Sequence, residues 1–430
     1  MTNESHRKTF VGFGFGPIQS GLFLYEAARS GHFARLVVAE VDQALVDAVR
    51  AGGHSCRVNV AGPDGINVET IEGVELYNPT VPADRVRLLA AVAESDELAT
   101  ALPNVGAYDA GGTGSVRALL ADGLRARTRT IPTILYAAEN NNHAAEILTE
   151  TLARALGHAP AEAGFQALNT VIGKMSGVIA DPRAVQALGL ETLTPGFPKA
   201  VLVEQFNRIL ISRIHLAGFV RGIDVFQEKA DLLPFEEAKL YGHNAVHALM
   251  GYLADQGGYA TIAQAAGEAN LMAAARGAFL DECGPGLIHK HAGVGDELFT
   301  TAGWRAYAED LLVRMVNPYL SDRVDRVARD HARKLGWDDR LYGAMRLAMA
   351  AGVTPVNLAR GAATAILSLI RHRHELRDHP PALPVDEHAL TPQTLEKFLL
   401  TLWGRQGDDQ ALQLIHLTAR ALAELREQGQ

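Results

Sequence analysis

Lys239, Asn244 and His247 are the residues of this chain best suited to chemistry. They lie in the stretch Lys-Leu-Tyr-Gly-His-Asn-Ala-Val-His, residues 239–247. If the segment is helical, Lys239 and His243 are i and i+4 neighbours, and Asn244 and His247 are i and i+3 neighbours. An amine and an amide donor then face one small volume. That combination suits a reaction in which a proton leaves a hydroxyl while negative charge grows on its oxygen. The lysine can act as base if burial or a neighbouring charge lowers its pKa. The asparagine can donate to the developing oxyanion. No metal is required. Two plainer readings compete: a solvated helix face or satisfied core, and a metal site on His243 and His247. Against the metal, the residue after His243 is Asn244, not the glutamate that a zinc protease uses as base.

Such a triplet needs a scaffold. At 430 residues the chain exceeds one typical core, which predicts two domains. Apolar residues make up 48% and charged residues 21%, ordinary for a globular protein. The net charge of -9 argues against a nucleic-acid partner, because phosphate binding needs a basic surface. Residues 1–9 are polar, no apolar run is long enough to span a bilayer, and Cys56 and Cys283 are too few for a disulfide framework. The expectation is a cytoplasmic protein with no membrane partner, a monomer or small homo-oligomer acting on a small molecule.

Gly12, Gly14 and Gly16 stand where an apolar run, residues 10–14, gives way to an amphipathic stretch, residues 18–29. A dinucleotide site places glycines at such a strand-to-helix turn so that the backbone can approach a pyrophosphate. Gln19 occupies the place where a third glycine is usual. A second strand, residues 36–40, ends at Glu40, a little over twenty residues past the glycines. An acid there accepts hydrogen bonds from a ribose and repels a 2′-phosphate, which favours NAD over NADP; Asp42 is the alternative. Further strands are predicted at residues 55–60 and 130–136, the latter after a helix at 115–124. Residues 195–198 read as a break, and 201–212 reads equally as strand or helix. From about residue 232 the periodicity becomes helical: 236–256, 261–283, 301–315, 321–335, 340–351, 355–372 and 391–404. Residues 372–390, with His372, His374, His379 and His388, read as a surface loop. The glycines Gly111, Gly112 and Gly114 lack the Lys-Ser/Thr ending of a phosphate loop and read as a flexible loop.

The fold class expected is therefore an α/β Rossmann-type dinucleotide-binding domain over 1–231, with an extension after about 196. A mostly α-helical substrate and catalytic domain follows over 232–430.

These pieces resemble one family, the polyol-specific long-chain dehydrogenases (the mannitol dehydrogenase family), most closely its mannitol-1-phosphate 5-dehydrogenase branch. The glycine turn, residues 14–23, is similar to that of the branch, and Ala138-Glu139-Asn140 is similar to the family's Cys-Glu-Asn segment. Lys239, Asn244 and His247 match its Lys-x4-Asn-x2-His signature. Asn317-Pro318-Tyr319-Leu320, residues 322–329, Arg333-Lys334-Leu335, Asp339-Arg340-Leu341 and Arg346-Leu347-Ala348 recur in the same order. The resemblance runs from about residue 10 to 370.

The resemblance implies a metal-independent enzyme in which Lys239 is the general base, Asn140 and Asn244 hold the oxyanion, and His247 orients the substrate or the lysine. The nicotinamide of NAD would lie at the cleft between the domains. The residues expected to hold the cofactor are Gly14, Gly16, Pro17, Ile18, Gln19, Glu40, Asn104, Val105, Gly106 and Glu139. One departure bears on the substrate end. The family carries an Asp-Arg pair after the Glu-Asn segment, whereas Met175-Ser176-Gly177-Val178 here lacks both charges, which leaves Ser176 as the candidate contact.

Arg323, Arg326, Arg329, Arg333 and Lys334 cluster in an otherwise acidic chain. Were the stretch one helix, Arg326, Arg329 and Arg333 would share a face able to grip phosphate or carboxylate. Interleaved Asp322, Asp325 and Asp330 allow an ion-pair ladder instead. The resemblance favours Arg329, Arg333 and Lys334 at a substrate's anionic end. The activity expected is NAD-dependent interconversion of a polyol's secondary alcohol and its ketose, first mannitol 1-phosphate and fructose 6-phosphate. An unphosphorylated polyol, a sugar acid or another small anionic alcohol is the alternative. A non-catalytic nucleotide-binding protein is the reading from outside the class.

Overall fold

The computed structural model describes residues 7–375 and 380–428. His379, one of the four histidines read into a surface loop, lies outside them. The chain forms two compact units, Met1–Leu233 and Pro234–Gln430.

The first unit contains twelve strands among the described residues: β1 (Lys8–Phe13), β2 (Phe33–Ala39), β3 (Cys56–Ala61), β4 (Ile66–Ile71), β5 (Val74–Tyr77), β6 (Glu97–Thr100), β7 (Thr133–Ala137), β8 (Phe165–Val171), β9 (Ser176–Ile179), β10 (Ala200–Glu204), β11 (Ile209–Ser212) and β12 (Phe226–Lys229). Eight of them form one sheet in the order β12-β11-β8-β7-β6-β1-β2-β5. Every neighbouring pair in it is parallel except β8 with β11. Alternation along β1 shows why the apolar run is continuous. Phe10 packs into a cluster on one face and Val11 and Phe13 into a cluster on the other, so both faces are covered, as parallel sheets require. Chain order reverses between β1 and β6, and the carboxyl ends of those two strands are where such a sheet opens a crevice for a ligand.

Two expectations are corrected here. The strand at 55–60 exists as β3, but it leaves the main sheet and joins a second one in the order β4-β3-β10-β9. Residues 201–212 are neither one strand nor a helix. β10 pairs with β3 and β9, while β11 pairs with β8 and β12, so the segment crosses from one sheet to the other.

The second unit is helical. Residues 301–315 and 340–350 follow the predicted periods closely, and the longest interior helix, Val356–Arg371, is buried along most of its length. The predicted helix at 321–335 is broken. Val324–Val327 and His331–Lys334 are single turns separated at Asp330, whose φ of 61° is left-handed. No helix among the described residues is long and apolar enough to cross a membrane.

Candidate active site

The glycine turn sits at the end of β1, at the point where chain order reverses. Gly14 has φ 81°, and a Cβ there would stand 2.9 Å from the Ala101 carbonyl oxygen beyond β6, so only glycine lets the two strand ends approach. Beside Gly16 a Cβ would meet nothing within 4 Å. The helix that follows opens on Pro17, with no N–H to satisfy. Open space above Gly16, a helix N-terminus and free backbone N–H groups fit a pyrophosphate. Asn104 to Gly106 stand at the start of a short turn after β6, with Asn104 and Gly106 exposed.

Glu40 behaves as a brace as well as an acceptor. One carboxylate oxygen accepts from the Phe15 N–H at 2.8 Å, and the other from the Asp42 N–H at 2.8 Å. The first bond ties the glycine turn to the end of β2. Each oxygen retains a lone pair for a ribose hydroxyl. Asp42 is instead committed to capping the helix Gln43–Ala51.

Two expected cofactor residues point inward. Gln19 is 0% exposed and lies against Gly12, where a Cβ would come within 2.2 Å of its amide nitrogen; only its backbone is available to a phosphate. Glu139 is buried, and its carboxylate accepts from the Thr100 hydroxyl at 2.9 Å, the Leu102 N–H at 2.9 Å and the Tyr108 hydroxyl. Asn140, next to it, is exposed.

In the second unit, the helix carrying the triplet is not a plain α-helix. Lys239–His243 form a π turn, in which the Asn244 N–H donates to the Lys239 carbonyl, and the α-helix Asn244–Gln256 continues from it. In an α-helix, residues five apart stand about 140° apart around the axis. An i+5 bond widens the turn, so Lys239 and Asn244 stand closer together around the axis than an α-helix would set them. His247 follows one α-turn later. The extra residue therefore narrows the angle between Lys239 and Asn244 that an ideal α-helix would leave wide.

The π turn is wedged in place. A Cβ on Gly242 would stand 2.9 Å from the Trp304 ring, and one on Gly343 would stand 2.3 Å from the Tyr241 ring. The Tyr241 hydroxyl donates to the Asp338 carbonyl at 3.1 Å. Lys239 itself is half-buried. Desolvation, then the nearby Arg340 guanidinium, push its amine down to about 8, against a smaller opposing pull from Glu236. His243 is buried, and burial with the surrounding positive charges, His247 first, holds its imidazole well below the usual histidine range. The His247 Nε2 meets Asp322 at 2.8 Å. Burial would raise the Asp322 carboxyl, but the bond to His247 and the charges of His247 and Arg326 outweigh it and lower the carboxyl. Among the described residues, no group of three or more His, Cys, Asp or Glu is arranged to hold a metal.

The arginine cluster is a ladder. Arg323 pairs with Asp325, Arg326 with Asp322, and Arg329 with Asp330 at 3.8 Å. Arg333 pairs with Asp330 at 3.3 Å and Asp339 at 3.4 Å. The break at Asp330 removes the shared face that one continuous helix would have given Arg326, Arg329 and Arg333. Lys334 turns inward, against the Val327 carbonyl and 5.6 Å over the Tyr252 ring, where burial, then Arg340, push its amine down to about 7. Ser176 opens β9 and is half-buried.

Three contributors escaped the sequence reading. In sequence Asp322 reads as a rung of the ladder and part of a family-like segment, not as a partner of the triplet, yet it orients His247. Arg340 lies about a hundred residues from Lys239 in the chain, with no local signal linking them. Lys174, just before the segment read as uncharged, is buried and donates to the Phe206 carbonyl at 3.0 Å and the Asn207 side chain at 2.6 Å.

The first unit is thus a Rossmann-type fold with a glycine turn shaped for a dinucleotide, and the second a helical unit carrying a tuned lysine. Residues 231–376 match the mannitol dehydrogenase C-terminal domain family. The mannitol-1-phosphate 5-dehydrogenase of Bacillus licheniformis is 29% identical over 358 residues, 82% of this chain and 86% of that protein. In structure the chain is similar to a D-sorbitol dehydrogenase in substrate-free form, with a TM-score of 0.76 and 15% identity over 98% of this chain and 94% of that one. It is also similar to Pseudomonas fluorescens mannitol 2-dehydrogenase in a ternary complex with NAD and D-mannitol, with a TM-score of 0.68 and 15% identity over 98% and 92%. Its second unit thus matches the mannitol dehydrogenase C-terminal domain family, and the chain as a whole is similar to polyol dehydrogenases.

Proposed function

We propose that this protein is an NAD-dependent polyol dehydrogenase that uses Lys239 as general base and needs no metal. The observation that carries the reading is the π turn at 239–243, which draws Asn244 around the helix toward a lysine whose amine is pushed down to about 8. At neutral to mildly alkaline pH such an amine is partly neutral, as a base must be. The substrate O–H proton passes to Nζ, giving an ammonium. Asn244, with Asn140 in the role the family resemblance gives it, donates to the oxygen as charge develops there. His247, held by Asp322, orients the hydroxyl or the lysine. NAD, when bound, supplies the acceptor for the carbinol hydride. Gly14, Gly16, the backbone of Pro17 to Gln19, Asn104 to Gly106 and Glu40 would hold it, and Glu40 disfavours a 2′-phosphate. The NAD assignment is also supported by the NAD complex of Pseudomonas fluorescens mannitol 2-dehydrogenase.

The first substrate pair is mannitol 1-phosphate and fructose 6-phosphate, supported by the likeness to a mannitol-1-phosphate 5-dehydrogenase. One observation favours an unphosphorylated polyol instead. Arg329 and Arg333 already face Asp330, and Arg333 also faces Asp339, so a phosphate there would have to compete with carboxylates. A steady-state assay with NADH separates the two. Turnover of fructose 6-phosphate but not fructose supports the phosphate, the reverse supports the free polyol, and turnover of neither moves the substrate outside the hexitols. Loss of turnover on dialysis against a chelator would contradict metal independence.

A further inference from the structure

We infer that Glu139 is a positioning residue that fixes the turn presenting Asn140, and so acts on the reaction through Asn140. The inference rests on the oxyanion role proposed above for Asn140. β7 ends at Ala137, and the Ala138 N–H is still tied to the Thr100 carbonyl at 3.0 Å. Beyond it the chain reverses tightly. The Asn141 N–H donates to the Glu139 carbonyl at 2.7 Å, which closes a three-residue turn with Asn140 at its apex. The Asn141 side chain then accepts from the His143 N–H at 2.8 Å, which fixes the far side of the apex. Asn140 is exposed at that apex.

Glu139 anchors the near side. It is only 5% exposed, and its carboxylate gathers three donors from two other segments. Thr100 lies at the end of β6, Leu102 just past it, and Tyr108 in the turn Val105–Tyr108. Buried and with both oxygens engaged, the carboxylate faces the interior. What it does is bind the Asn140 turn to the segment that carries Asn104 to Gly106. The Tyr108 hydroxyl is raised from its usual range, by burial first and then by this carboxylate, so it stays a donor. Removing the carboxylate takes that acceptor from the Thr100 and Tyr108 hydroxyls and the Leu102 N–H, and frees the turn. A glutamine can keep the arrangement, its oxygen accepting from the Leu102 N–H while the two hydroxyls rotate to accept from its amide.

The test is a double-mutant cycle on kcat. Glu139→Ala in the wild-type background is expected to lower kcat by roughly ten- to a hundredfold through misplacement of Asn140. Glu139→Gln is expected to restore most of that loss. In an Asn140→Ala background, Glu139→Ala is expected to cost little more, because the group it positions is gone. The same fold-loss in both backgrounds, or an unchanged kcat in Glu139→Ala, overturns the inference. If Glu139→Ala does not fold, Tyr108→Phe removes one of the three ties and enters the same cycle with a smaller loss expected. Wild-type turnover in a parallel Lys239→Met variant would overturn the lysine mechanism instead, while the coupling of Glu139 to Asn140 would still be read from its own cycle.

Discussion

Two of the three π turns among the described residues have opposite results. One π turn, Gln19–Leu24, follows the glycine turn, and all six of its residues are buried. The other, Lys239–His243, buries only Gly242 and His243. The first serves packing: it buries Gln19, which lies against Gly12, so the proposed cofactor grip falls to backbone N–H groups and Glu40. The second serves presentation: it draws the amine and the amide donor closer around the helix than an α-turn would. A grip made of backbone depends on what is missing, namely side chains at Gly14 and Gly16. A site made of side chains depends on what surrounds it, here Trp304, Arg340 and Asp322.

Lys239→Met should cost the most, on the order of a hundred- to ten-thousandfold in kcat, while NADH fluorescence still reports tight binding. Equal loss of binding would erase the proposed division of labour between the two regions. Asn244→Ala removes one oxyanion donor and should cost on the order of a hundred- to a thousandfold in kcat, with the KM for NAD nearly unchanged. Two glycine variants then sharpen the contrast. Gly242→Ala drives a methyl into the Trp304 ring and should lower stability by about 1–3 kcal/mol in thermal or denaturant melts. Gly16→Ala meets open space, so its melt should match wild type while the KM for NAD rises; a destabilised Gly16→Ala protein would contradict the open cradle. Glu40→Ser should raise tolerance for NADP and also weaken NAD binding, because the Phe15 N–H loses its acceptor. No gain with NADP would remove the basis for the NAD preference.

Legibility in the sequence followed the range of the interactions. β1, β2 and the glycine turn were readable because a buried parallel strand and a phosphate turn are local patterns. The triplet was readable by residue type, but a reading by α-helical period set Lys239 beside His243 and missed the π turn. That turn lies where Gly242 packs against Trp304, a partner far away in the sequence. The helix at 321–335 failed because Asp330 takes a left-handed backbone that periodicity does not record. Gln19 and Glu139 were legible as important, yet their direction was not: whether a polar side chain faces a ligand or the interior depends on partners such as Gly12 and Tyr108, which only the fold supplies. β10 and β11 merged in the sequence because their apolar runs are similar and their separation is a matter of which sheet each joins.

The account's central claim is that Lys239 removes the proton, and the pH dependence of kcat/KM for polyol oxidation tests it most directly. A depressed amine is a base only above its pKa, so the wild-type profile should rise through a limb near 8 and level off at higher pH. Arg340→Gln removes a charge that lowers the amine, so its limb should move toward the ordinary lysine value, though not all the way, because burial remains. In Lys239→Met the limb should vanish from whatever activity is left. A limb near 8 that persists in Lys239→Met, or one that Arg340→Gln moves to lower pH, would contradict the assignment of the base.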